Sequence, residues 1–190
     1  MSTQRLNKAE ALSLLQNATQ LELMQRADAM RREMHPGDEV TFVIDTNPNY
    51  TNVCVTDCTF CSFYERPGSE NGYVLSPDEI GDKVAQAQAL GATTVLMQGG
   101  HNPDLPFDYY VSLINSIKTA APGIHLHLFS PAEILHIAQT CSMSVSEVLK
   151  AFMEMGVETM PGGGAEILVD SVRRKISPKK ISTDDWLGVM

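Results

Sequence analysis

Long apolar runs are missing from this sequence. Nothing in it approaches the ~18 consecutive apolar residues that a membrane span requires, so no such span and no membrane partner are expected. Met1–Lys8 is polar and no apolar stretch follows it, so a secretory signal peptide is not expected either. Basic residues are few: 14 Lys and Arg stand against 23 Asp and Glu, giving a formal net charge of −9 and a pI near 4.9. Phosphate binding needs clustered Lys and Arg, which argues against a nucleic-acid partner. The one basic stretch, Arg173, Arg174, Lys175, Lys179 and Lys180, has Asp170 and Asp184 beside it and reads as a solvated helix end and loop. Cysteine is scarce too, and three of the four lie within eight positions, which is no disulfide framework. Clustered thiols in a reducing, cytoplasmic compartment point instead to metal or redox chemistry.

What is present fits one α/β domain with helices in front of it. The 190 residues are 43% hydrophobic, enough to bury a sizeable core. Residues 1–39 read as a helical segment: Asn7 with Glu10 and Thr19 with Glu22 have capping-box spacing. An apolar stripe of Leu12, Leu15, Leu21, Met24, Ala27 and Met30 is expected to dock on the core, and Pro36-Gly37 ends the segment. Residues 40–190 alternate strand and helix. Strands are expected at Val40–Asp45, Thr93–Met97, Ile124–Phe129 and Val157–Met160, with helices from Ser76, Pro106, Ser130 and Ser144 between and after them. That pattern means βαβ units, a parallel sheet and right-handed crossovers. Four strands are half the eight of a full (β/α) barrel, so the expected fold is an incomplete (β/α) partial barrel, and the core reads as cut short at its C-terminal end.

The chemistry concentrates in Cys54-Val-Thr-Asp-Cys58-Thr-Phe-Cys61. Its C-x3-C-x2-C spacing brings three thiolates together on one loop directly after a strand, where parallel α/β folds place their active sites. Thiolates are the natural ligands of iron–sulfur clusters. Three of them on a four-iron cluster leave one iron open to a small molecule, the feature that separates reactive metal centres from closed structural ones. The alternative is a zinc or electron-transfer site with Cys141 as the fourth ligand. Cys141 has no second cysteine nearby, whereas structural zinc sites usually take ligands in pairs.

The cysteine spacing, with Phe60 just before the third cysteine and a βα series around it, resembles the radical S-adenosylmethionine superfamily. That resemblance implies a [4Fe–4S] cluster held by Cys54, Cys58 and Cys61. It also implies S-adenosyl-L-methionine bound to the open iron through its amino and carboxylate groups, with Phe60 beside the cluster. One electron, from a reductant such as flavodoxin or ferredoxin, then splits the sulfonium to a 5′-deoxyadenosyl radical. Within the superfamily, Asn49–Cys54, Met97–Pro106 and Pro161–Leu168 resemble the cyclic dehypoxanthine futalosine synthases of menaquinone biosynthesis. Aminofutalosine synthases and FO synthases carry similar loops. The implied reaction is radical cyclisation of a nucleoside-derived small molecule, dehypoxanthine futalosine, and a truncated, inactive cluster-binding fragment is the competing expectation.

The same resemblance assigns Gln98, Gly99 and Gly100 to the methionine end of the cofactor. Two glycines alone would be a plain turn. Many members carry an acid after the glycines; here it is His101, to which no contact transfers. Glu166, behind Gly162-Gly163-Gly164, is expected at the cofactor ribose, or else is a first-turn acid favoured by a helix dipole. Ser130 is grouped with the cofactor loops, although Ser130 and Glu133 also have the spacing of a cap. Asp45 ends the first strand and is a candidate for the pocket wall. His101, His125, His127 and Glu166 are the candidate bases for the proton that the reaction must lose. His125 and His127 share one face of a strand, where they could equally be satisfied sheet histidines.

Overall fold

The computed structural model describes residues 5–190, and the chain divides after Phe42 into two compact units. The first contains α1 (Lys8–Asn17) and α2 (Gln20–Met34), each opened by a reciprocal capping box, Asn7 with Glu10 and Thr19 with Glu22. Such caps satisfy orphan amides at the helix start without any tertiary partner. The segment after α2 is wrapped by the Arg31 guanidinium, which donates to the carbonyls of His35, Gly37 and Glu39. Neither helix buries a residue, and Leu15 and Leu21 of the apolar stripe are 80% and 63% exposed. Within this unit, local capping rather than burial supports the two helices.

The second unit is a parallel α/β layer in the order β1 (Asp45–Thr46), β2 (Thr94–Met97) and β3 (His125–Leu128), with α3 (Pro77–Ala89), α4 (Phe107–Ala120), α5 (Pro131–Thr140), α6 (Val145–Glu154), α7 (Asp170–Ile176) and α8 (Thr183–Val189). The register is Asp45 on Thr94 and Thr94 on His125, continuing to Met97 on Leu128. The two central strands lose only an end residue or two from their expected spans, whereas the other two lose most of their length. Val40–Asp45 keeps only its last residue in the ladder: the Thr93 and Thr94 amides both donate to the Ile44 carbonyl (2.8 and 3.3 Å), and the pairing does not extend to earlier positions. Val40 and Phe42 are consequently more than four-fifths exposed. Val157–Met160 is reduced to one parallel bridge, Thr159 to His127. There the amides of Glu158 and Thr159 both donate to the Leu126 carbonyl, and two successive donors on one acceptor break a regular ladder.

Alternation along the strands puts Val95, Met97, Leu126 and Leu128 on the helix-covered face. They pack on Ile80 and Val84 of α3, Leu113, Ile114 and Ile117 of α4, and Ile134 and Ile137 of α5, all fully or almost fully buried. Full burial of each such side chain contributes about 1.5–3 kcal/mol. The other face carries Thr94, Leu96, His125 and His127, all half-buried. One face is thus a packed core, and the loops beyond the strand ends are free to build a site.

Candidate functional site

The loop that carries the three cysteines is held by its backbone. The Cys54 amide donates to the Glu65 carbonyl (2.9 Å), Val55 to His101 (3.1 Å), Cys61 to Cys58 (3.2 Å), and Thr59 to Ile176 (2.9 Å). Three separate stretches of chain, at Glu65, His101 and Ile176, thereby fix one short loop. Cys54 and Cys58 are buried and Cys61 is half-buried. The hydroxyl of Thr56 lies 3.0 Å from Cys54 Sγ and accepts from Cys58 Sγ at 3.6 Å, so it sits between two of the thiols. Burial pushes the Cys58 thiol above its ordinary value, while the Thr56 hydroxyl and the Lys180 ammonium pull the other way.

All three cysteines line one cavity of about 380 Å³ at the C-terminal ends of the strands. Phe60, Gln98, Gly99, Gly100, His101, Ser130 and Glu166 line it as well. The glycine pair is required by close approach: a Cβ at Gly99 would collide with the Tyr50 ring, and one at Gly100 with the backbone carbonyl of Val53. The Gly100 amide also donates to Thr51 (2.9 Å), so the glycine turn lies directly against the chain leading into the cysteines.

Ser130 caps α5 through its hydroxyl, and its partner Glu133 turns inward as well. Glu133 is 2% exposed. Its Oε1 accepts from the Tyr50 hydroxyl (2.9 Å) and the Gly99 amide (2.8 Å), while Oε2 accepts from the Ser130 amide (2.8 Å) and hydroxyl (2.6 Å). Burial raises its pKa, opposed by these donors. The Tyr50 ring closes the back of the site in edge contacts with Tyr110 and Phe129.

The last wall comes from the chain after Pro161. Glu166 pairs with Lys180 Nζ at 2.8 Å, and that ammonium stands 5.7 Å over the Phe60 ring. Arg173, 2% exposed, donates to the carbonyls of Gly164 (2.6 Å), Ile167 (3.1 Å) and Ile181 (2.8 Å), and Trp186 Nε1 donates to Gly163 (3.1 Å). The basic stretch read in the sequence as a solvated helix end is thereby split in function. Arg173 and Lys180 are built into the site, and Arg174 and Lys179 remain exposed.

Among the base candidates, His101 is buried, stacked on His136 at 5.0 Å, and held neutral down to about 3 by burial and by the neighbouring His136 and Lys180. So low a pKa matches poorly to proton uptake near neutrality. His125 and His127 do not line the cavity; Nε2 of the first and Nδ1 of the second both reach the Thr159 hydroxyl, at 2.8 and 2.6 Å. Asp45 shares their face through the strand register, outside the cavity. From spacing, Glu133 reads only as a capping acid, and Lys180, Tyr50 and Arg173 carry no site role. Glu133 was hidden because the cap motif already explained it, and Lys180 because its charge looked solvated.

Three thiols share one concave wall of the cavity, and thiolates are the donors that iron–sulfur clusters take. Cys141 caps the far end of α5, about 16 Å along the helix from Ser130 at ~1.5 Å per residue, and lies outside the cavity. It cannot complete a four-cysteine site without large movement.

The family model for the radical SAM superfamily matches residues 48–190. The cyclic dehypoxanthine futalosine synthase of Halalkalibacterium halodurans is 44% identical over 98% of the chain. The 5-amino-6-(D-ribitylamino)uracil–L-tyrosine 4-hydroxyphenyl transferase of Archaeoglobus fulgidus is 44% identical over 86%, and the FO synthase of Mycobacterium leprae 42% over 86%. The chain spans 50%, 46% and 19% of these three relatives, and so about half or less of their length. Methylornithine synthase has the same fold, with a TM-score of 0.64 at 17% identity over 98% of the chain and 52% of that structure.

Proposed function

Because the chain belongs to the radical SAM superfamily, whose members bind a [4Fe–4S] cluster and S-adenosylmethionine, we propose that Cys54, Cys58 and Cys61 hold the cluster and that the protein cyclises dehypoxanthine futalosine. The observation that carries the reading is the convergence of three thiols, the glycine turn and Glu166 on one cavity at the strand ends. When bound and reduced by a one-electron donor such as flavodoxin or ferredoxin, the cluster and its cofactor supply a 5′-deoxyadenosyl radical for hydrogen abstraction.

The chain's own groups then have separate tasks. Thr56 orients two thiols, and Lys180 offsets the negative charge that thiolates bring into a half-enclosed pocket. Phe60 shields that charge on its solvent side. Glu166, already held by Lys180, keeps a carboxylate available to ribose hydroxyls. The walls exclude water from a reactive intermediate. For the proton lost at the end, Glu166 lies within the cavity, whereas the open-face pair His125 and His127 would act only on a substrate that reaches beyond it.

The futalosine reading rests on 44% identity across almost the whole chain. A second reading, an FO-synthase-like enzyme, is favoured by the equal or nearly equal identity of the transferase and FO synthase relatives. Product analysis separates them. The reconstituted protein is incubated with dehypoxanthine futalosine, or with 5-amino-6-(D-ribitylamino)uracil and tyrosine, and the products are identified by mass. The proposal expects from the first mixture a cyclised product two hydrogens lighter than its substrate, formed together with 5′-deoxyadenosine, and no adduct from the second.

A further inference from the structure

Glu133 is the one fully buried carboxylate that lines the cavity, and its surroundings fix its state. One backbone amide reaches each oxygen, Gly99 on Oε1 and Ser130 on Oε2, and an amide can only donate. With the Tyr50 and Ser130 hydroxyls added, four donors surround a group that has no use for a proton of its own. Among the described residues no cationic side chain lies within ion-pair distance of it. A buried charge of this kind is costly unless it is matched.

The Gly99 contact has a directional consequence. The Gln98–Gly99 peptide is trans, so an amide aimed at Glu133 turns the Gln98 carbonyl the opposite way. Among the described residues, neither the Gln98 nor the Gly99 carbonyl accepts a hydrogen bond. A free Gln98 carbonyl thus faces away from a buried negative charge that no cation pairs, on a turn that lines the cavity wall beside the cysteines. Unmatched acceptors backed by negative charge suit an ammonium group. His101, where many relatives of this kind carry an acid, is neutral and cannot supply that charge.

We propose that Glu133 is a positioning residue that fixes the Gln98–Gly99 turn and serves as the buried counter-charge for the ammonium group of a cationic ligand. This deepens the reading above and rests on it, with S-adenosylmethionine as the ligand. Glu133 works through the peptide, not by touching the ligand, and it ties the cysteine segment (Tyr50), the glycine turn and the start of α5 into one unit.

The test compares two ligands on iron-loaded protein: S-adenosylmethionine, and 5′-methylthioadenosine, which keeps the adenosine but has a neutral thioether in place of the sulfonium and lacks the amino-acid arm with its ammonium. In Glu133→Gln, S-adenosylmethionine is expected to bind at least about tenfold more weakly, the scale of one hydrogen bond to a charged group. Methylthioadenosine affinity and iron content should stay unchanged. Equal weakening of both ligands, or of neither, overturns the inference. Wild-type protein that loads iron but binds neither ligand overturns the functional reading itself. Should the variant fail to fold, the wild type is titrated between about pH 7 and 5. The groups facing Glu133 are Tyr50 and Tyr110, both pushed further above their ordinary values, and His101 stays neutral throughout. Because Glu133 titrates above the usual carboxylate value, the ratio of the two affinities should fall toward acid. A flat ratio contradicts the role.

Discussion

Cys54 and Cys58 differ from Cys141 in where the chain puts them, not in chemistry. The first two are buried on a cavity wall under one shared hydroxyl; the third is a half-buried helix cap touching Thr140 and Leu105. Cys58→Ala is therefore expected to lose the cluster, read as iron and sulfide content after reconstitution. Cys141→Ala should keep it and change stability by about 1 kcal/mol or less. His101 allows a prediction in pH. Its pKa is depressed in the fold, from 6.5 to about 3, so the unfolded chain takes up a proton that the folded chain refuses. The stability this gives is present above pH 6.5 and lost as pH falls toward 3, with a slope of at most about 1.4 kcal/mol per pH unit. Urea midpoints measured across that range should fall less steeply in His101→Gln than in the wild type. Equal slopes would mean that His101 is accessible to protons.

At the scale of elements, caps were the most legible feature. Asn7, Thr19, Ser76, Ser130 and Ser144 each open a helix as their spacing implies, because a cap is a local interaction within four residues. Strand extents were less legible, since a strand lasts only as long as its neighbour offers backbone. Val40–Val43 has the composition of a strand, yet among the described residues it joins no ladder. The segment after Pro161 was the least legible. Arg173 holds three carbonyls from two loops 14 to 17 residues apart in sequence, and no periodic pattern announces such a role. Arg173→Met keeps the bulk but strips those carbonyls of their donor. It is expected to destabilise the second unit by about 3 kcal/mol, checked by urea unfolding. Arg173→Lys should recover only part of that loss, because one ammonium cannot span the same three acceptors.

For the whole molecule, the parallel α/β class and the cysteine centre could be read from the sequence, because both rest on short-range patterns: strand–helix alternation and C-x3-C-x2-C spacing. Glu133 and Lys180 could not, because their meaning depends on contacts 34 and 14 residues away, with Gly99 and Glu166. The division after Phe42 is testable on its own. Phe42 is 81% exposed in a stretch without regular structure, so brief chymotrypsin treatment should cut there first and leave residues 43–190 resistant. Early cleavage within 77–154 instead would mean that the core is less cohesive than its packing suggests.

The claim on which everything else depends is that the three thiolates hold a cluster with an iron open to S-adenosylmethionine. Its most direct test is anaerobic reconstitution with iron and sulfide, reduction, addition of S-adenosylmethionine and assay for 5′-deoxyadenosine. The account predicts a coloured, iron-loaded protein that forms 5′-deoxyadenosine only when Cys54, Cys58 and Cys61 are all present. A colourless protein carrying stoichiometric zinc and forming none would contradict it.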